Sequence, residues 1–317
     1  MKEAKKAGGE YLSASRGNRI GIGIFRILLR CGGEPCAFWL ARFVTWFYAR
    51  FDRRAFAATK RYLELRFPED AGRPAALRRH FHRLLYELAK MLIVSHEMGN
   101  GAAIPIEIEG AEHLPPEGGL VVVMAHFGCW QGSMDFMNHQ SGRRIHIMAR
   151  PDRNGNMDKY LALRDRHGFN IISTDGFSGG LLEASAALSR GEAVIVMGDR
   201  AVDGSAKSPP LPYFGGSIEL PLSPWMLAAR NGVPALPVFT EFEENPRRVV
   251  IRLHPPIRFA DTAARRVRAE DLSPALAGYA ALLEGAARRS PYSVFRFGDE
   301  EAAAGEDSSN PISKEEQ

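Results

Sequence analysis

Gly119–Asp135 reads GLVVVMAHFGCWQGSMD, and the whole chain can be read outward from it. The run Leu120–Ala125 is unbroken, apolar and mostly β-branched, and Gly118-Gly119 bounds it. A run this short between turn residues reads as a strand buried on both faces of a parallel sheet. His126 then stands at the strand's carboxyl end, where open α/β sheets place their ligands. Gly128 permits a tight turn. A helix can start near Trp130, aiming backbone N–H groups back at the crevice. A histidine in that place can act as a general base.

Strand and helix patterns alternate around this stretch. Strands are expected at Ile104–Glu109, Ile145–Ala149, Asn170–Ser173, Ala193–Gly198 and Pro234–Phe242, with Val249–His254 as an antiparallel edge. Helices are expected at Gln131–His139, Asn156–His167, Ser178–Ser189, Ser223–Asn231 and Asp271–Arg288, and Leu211–Leu220 as an irregular Pro/Gly loop. The alternation predicts an α/β fold with a mostly parallel central sheet flanked by helices.

The N-terminal third is different. Residues 1–18 are polar and expected to be flexible, with no apolar core of a signal peptide. Ile20–Phe51 mixes Arg26, Arg30, Arg42 and Arg50 with Phe25, Phe38, Trp39, Phe43, Trp46, Phe47 and Tyr48 and holds no apolar run of spanning length. It predicts two amphipathic helices split near Gly32–Pro35, either lying in a membrane interface or packed on the domain itself. Arg53–Phe67 and Arg73–His96 are two further helices. The second places Leu77, Phe81, Leu84, Leu85, Leu88 and Leu92 on a core face, with Arg79 and Arg83 on the other side. The chain thus divides into a flexible segment 1–18, a helical, membrane-associating region 19–98, an α/β core 99–297 and an acidic disordered tail 298–317.

Charge follows that division. Residues 1–98 carry 19 Lys/Arg against 9 Asp/Glu, and residues 298–317 carry 7 Asp/Glu against Lys314 alone. A basic N-terminal third calls for an anionic partner: a membrane, an acidic carrier protein or a nucleic acid. No nucleic-acid module is recognisable. Cys31, Cys36 and Cys129 make neither a disulfide framework nor a metal motif, which fits a reducing compartment.

His126-Phe127-Gly128-Cys129-Trp130-Gln131 resembles the His-x4-Asp/Glu block of the glycerolipid acyltransferase superfamily. Within it, the chain most resembles the lauroyl/myristoyl acyltransferases of lipid A biosynthesis, where the block reads His-Phe-Gly-Asn-Trp-Glu. Arg150-Pro151-Asp152-Arg153-Asn154 resembles the family's second block. Arg164, in Leu163-Arg164-Asp165-Arg166-His167-Gly168, resembles its Arg-x-x-x-Gly segment. Met197-Gly198-Asp199-Arg200 resembles its Asp-Gln or Asp-Arg segment, and Ser290-Pro291-Tyr292-Ser293-Val294-Phe295 its Pro-aromatic ending. These blocks fall in the family's order over residues 20–297.

The resemblance implies transfer of a fatty acyl group from an acyl carrier protein or coenzyme A thioester to a hydroxyl or amine of a lipid or glycolipid. The setting it implies is the cytoplasmic face of a bacterial inner membrane, with the protein peripheral. No metal or other cofactor is expected. His126 would deprotonate the acceptor. Arg150 and Arg200 would bind phosphate, with Asp199 holding Arg200 by a bidentate pair, and Asn154 and Arg164 would contact substrate. Gln131 replaces the usual acid. Its amide oxygen can orient the imidazole but cannot stabilise its positive charge, and Asp135, one helical turn further on, is a candidate substitute. A catalytically weakened, lipid-binding relative is therefore the alternative expectation, and a Cys129-dependent hydrolase a third.

Overall fold

The computed structural model describes residues 36–99, 103–130, 141–149, 169–174, 178–200, 206–259 and 267–295. Strands β1 (Ile106–Glu109), β2 (Leu120–Met124), β3 (Ile145–Ala149), β4 (Asn170–Ser173) and β5 (Ala193–Met197) join β8 (Ala235–Glu244) and β9 (Arg247–Leu253) in one sheet. Its order is β1-β9-β8-β2-β5-β3-β4. The strands β8, β2, β5, β3 and β4 are mutually parallel, as the apolar runs predict. The helices are residues 36–51 (α1), Arg53–Arg66 (α2), Pro74–Gly99 (α3), Leu181–Ser189 (α4), Ser223–Arg230 (α5) and Ser273–Arg289 (α6). The expected helices at Gln131–His139 and Asn156–His167, the segment before residue 36 and the acidic tail lie outside the described residues.

All of β2 is buried, and its alternate residues serve two cores. Val121 and Val123 pack with Trp225 of α5 and with Leu188 of α4, and with Leu276 and Tyr279 of α6. Leu120, Val122 and Met124 pack with Leu63 of α2 and with Leu77, Phe81 and Leu84 of α3. Helices on both faces make a three-layer α/β/α arrangement in which α2 and α3 form one layer.

Three local expectations need correction. The strand β9 is antiparallel to β8 but is not the edge, because β1 lies outside it in parallel register. Glu107 and Glu109 on β1 pair with Arg248 and Arg252 across the ladder, so the true edge strand carries charge, a common guard against edge-to-edge pairing. The Pro/Gly segment is not irregular: β6 (Leu211–Tyr213) and β7 (Gly216–Ile218) pair as a hairpin. Its two turn residues, Phe214 and Gly215, have φ of 50° and 75°, as a two-residue primed turn needs. Phenylalanine gives no sequence signal for that turn. It is held by the Glu284 carboxylate, which accepts from the Phe214 N–H, and by the Arg66 and Arg288 guanidiniums over its ring. Finally, Leu92 is exposed, because the buried stripe of α3 runs through Leu84, Met91 and Val94.

Helix α1 is turned inside out. Its small residues Ala37, Ala41, Thr45 and Ala49, spaced four apart, face the body, where Ala37 and Ala41 meet Ile93 of α3. Its large residues Trp39, Phe43, Val44, Trp46, Phe47, Tyr48 and Phe51 are exposed, Trp39 by 72%. No described helix is long and apolar enough to cross a membrane.

At the amino end of the sheet, His146 on β3 is bonded at 2.7 Å to Glu192, which Arg190 also holds at 2.7 Å. Arg190 first, and His146 second, bring the Glu192 carboxyl down from 4.5 to about 2. A carboxyl held below its unfolded value stabilises the fold fully above that value, and the contribution is lost as pH falls through the folded one. Glu192→Gln is therefore expected to lower the melting temperature at pH 7 and to flatten its fall between pH 4.5 and 2. Thermal melts across that range check it. An unchanged acid limb would show that Glu192 contributes nothing there.

Candidate active site

The site forms where β2 and β5 end side by side. Their register pairs Met124 with Met197, so the next residues out are Ala125 beside Gly198 and His126 beside Asp199. The Met124 carbonyl accepts from the Gly198 N–H at 2.7 Å and from the Tyr279 hydroxyl at 2.8 Å, tying both strand ends to α6. Gly198 is needed for this approach: a Cβ there would stand 2.4 Å from Val123 Cγ1. Beyond the strand, the Phe127 N–H donates to the Ala125 carbonyl at 2.7 Å, a three-residue turn centred on His126. Gly128 follows with φ of 56°, so close to β8 that a Cβ would stand 1.9 Å from the Thr240 carbonyl oxygen.

The imidazole of His126 lies against the Asp199 carboxylate, with Nδ1 3.1 Å from Oδ1 and 3.3 Å from Oδ2. The His126 side chain is 24% exposed and that of Asp199 only 3%. A carboxylate on Nδ1 fixes the tautomer in which Nδ1 carries the proton and Nε2 the lone pair. The Trp130 ring meets the imidazole edge-on, with centroids 5.9 Å apart, and limits its rotation. The arrangement is one a general base can use: a partly exposed imidazole held in one orientation by a buried carboxylate.

The chain belongs to the bacterial lipid A biosynthesis acyltransferase family. The family's model matches residues 12–280. A comparison with curated proteins finds no match. Among solved structures, the chain is similar to the 1-acyl-sn-glycerophosphate acyltransferase PlsC from Thermotoga maritima. The two share 15% identity with a TM-score of 0.37, and the match covers 78% of this chain and 97% of that one.

In this acyltransferase the sequence placed His126 and Asp199 in separate roles, and the fold brings them into contact. The carboxylate expected to hold Arg200 is bonded to His126, and Arg200 is the half-buried residue that follows. A signal did exist in the sequence: Met124-Ala125-His126 and Met197-Gly198-Asp199 end their strands alike. That β2 and β5 are neighbours depends on sheet order, which strand patterns do not reveal. Gln131, Asp135, Arg150, Asn154 and Arg164 lie outside the described residues. Cys129 is fully buried in the core shared with α2 and α3, its Sγ 3.3 Å from Ser95 Oγ, so its thiol lacks the exposure a nucleophile needs.

Proposed function

We propose that this acyltransferase moves a fatty acyl group from an acyl carrier protein or coenzyme A thioester to a hydroxyl or amine of a lipid or glycolipid, with lauroyl or myristoyl transfer to a lipid A precursor the leading case. His126 Nε2 takes the acceptor proton as the acceptor oxygen (or nitrogen) attacks the thioester carbonyl. The tetrahedral intermediate collapses, the C–S bond breaks, and the imidazolium returns its proton to the departing thiolate. Asp199 stabilises the imidazolium between those two transfers. The observation that supports this reading is the 3.1 Å contact between His126 and the buried Asp199 carboxylate. With that charge in place, the amide at Gln131 is a weaker argument for a non-catalytic relative. Arg150 and Arg200 remain the proposed phosphate contacts, and Asn154 and Arg164 further substrate contacts.

The test is transfer of label from acyl carrier protein, and separately from coenzyme A, into a bacterial lipid extract. Wild type is expected to label one lipid class and His126→Ala none. Equal labelling by both proteins would overturn the role of His126.

The same reading places the protein at an anionic membrane surface, such as the cytoplasmic leaflet of a bacterial inner membrane. Its support is the exposed face of α1, where aromatic residues alternate with Arg42 and Arg50. Interfacial aromatics beside basic residues suit the headgroup region. A variant with Trp39, Phe43, Trp46 and Phe47 changed to Gln is expected to lose at least about tenfold in affinity for anionic vesicles, since each buried large apolar side chain contributes about 1.5–3 kcal/mol. Vesicle flotation measures it, and undiminished binding would remove α1 from the contact.

A further inference from the structure

The Pro-aromatic segment at residues 291–295 has no place in the mechanism above, yet it is bonded to the His126 loop. Residues 291–295 cross that loop as a short antiparallel strap. The Gly128 N–H donates to the Ser293 carbonyl at 2.8 Å, and the Phe295 N–H donates to the His126 carbonyl at 2.7 Å. Phe127 and Val294 form the bridge between them. His126 lies beyond the last residue of β2, so these bonds take over where the sheet ladder stops.

The other side of the strap is fastened to the helical layer by side chains. The Tyr62 hydroxyl of α2 donates to the Pro291 carbonyl at 2.6 Å. The Tyr292 hydroxyl lies 2.8 Å from His80 Nδ1, and His80 Nε2 lies 3.0 Å from Asp70 Oδ2. A carboxylate on Nε2 keeps the proton there, which leaves Nδ1 to accept from the tyrosine hydroxyl. The Phe67 ring stacks on His80 with centroids 3.9 Å apart and on Tyr292 at 5.5 Å, and the Arg83 guanidinium lies over the Tyr292 ring at 4.6 Å. Phe295 is buried in the core shared with Leu63 and Phe81.

We infer that Tyr292 is a positioning residue for acyl transfer: the chain Asp70–His80–Tyr292 holds the strap against α2 and α3, and the strap in turn fixes the backbone of His126 opposite Asp199. The inference rests on His126 being the base. It assigns a task to a tyrosine that touches neither substrate nor His126's side chain. It also makes the helical layer that carries α1 part of the support of the catalytic loop.

Tyr292→Phe removes only the hydroxyl and keeps the stacked ring, so the variant is expected to fold. Two readouts are needed. The first is hydrogen exchange by mass spectrometry. Peptides covering residues 126–130 and 291–295 are expected to exchange at least about tenfold faster than in wild type, while peptides of β2 and β5 are unchanged. The second is steady-state kinetics, where kcat is expected to fall about tenfold with KM unchanged, because small misplacements of a reacting group are costly. His80→Ala is expected to do the same, and the double variant to be no worse than either single one. Unchanged exchange in the two peptides overturns the proposal. So does faster exchange across the whole protein, which marks general destabilisation, or faster local exchange with kcat intact. The exchange result is independent of activity. If His126→Ala proves as active as wild type, the base assignment fails, and exchange still decides whether Tyr292 holds the loop.

Discussion

Asp199→Asn is expected to reduce turnover by about 10³- to 10⁴-fold with little change in KM, the scale seen when the acid behind a catalytic histidine becomes its amide. Two physical effects add. The amide carries no charge, so the imidazolium formed during transfer loses its stabilisation. It can also present an N–H to Nδ1, which favours the tautomer with the proton on Nε2, where the base must accept. The Asp199 side chain is 3% exposed, so water cannot take over its role. His126→Ala is expected to fall to the same floor, and the double variant no lower, because the two groups act as a unit. Single-turnover transfer from labelled acyl thioester measures all three. Strictly additive losses would show that Asp199 serves something other than His126. Gln131→Glu in the wild-type background is expected to change the rate little, since Asp199 already supplies a negative charge.

Gly128→Ala is expected to lower activity by at least about 10²-fold, the cost of moving a reacting group by about 1 Å. At φ of 56° the added methyl meets the Thr240 carbonyl oxygen at 1.9 Å, an atom held in β8 that cannot give way. The loop must therefore move, and it carries His126 two residues away. Gly118→Ala is the control. Gly118 also has a positive φ, of 83°, but nothing lies within 4 Å of its Cβ position. It is expected to cost only the backbone strain, about 1–2 kcal/mol, and to leave kcat intact. Activity and melting temperature of the two variants separate the effects. If both lose activity equally, the strain of the left-handed backbone, and not the contact with Thr240, governs the loop.

Much of the architecture was legible because burial and periodicity are local signals. Leu120–Ala125 read as a strand buried on both faces from its length, β-branched residues and flanking glycines, and β3, β4 and β5 followed from short apolar runs. The hairpin at Leu211–Ile218 was hidden, because its turn rests on Phe214 at positive φ, stabilised by Glu284, Arg66 and Arg288 from distant helices. The outward aromatic face of α1 was half visible. Composition left the segment either interfacial or packed on the domain, and only the packing of Ala37, Ala41, Thr45 and Ala49 on the body shows which side turns outward.

The chain alone determined that His126 ends a buried strand of an α/β sheet and that the N-terminal third is basic and aromatic. It determined these because strand burial, helical spacing and charge are properties of neighbouring residues. Only the tertiary structure decided that Asp199 lies behind His126 and that Tyr292 anchors the strap across its loop. Those contacts span 73 and 212 residues, from Asp199 to His126 and from Tyr292 to His80. They exist because β5 inserts beside β2 and because the strap at residues 291–295 returns between the His126 loop and the helices, and no local pattern encodes either choice.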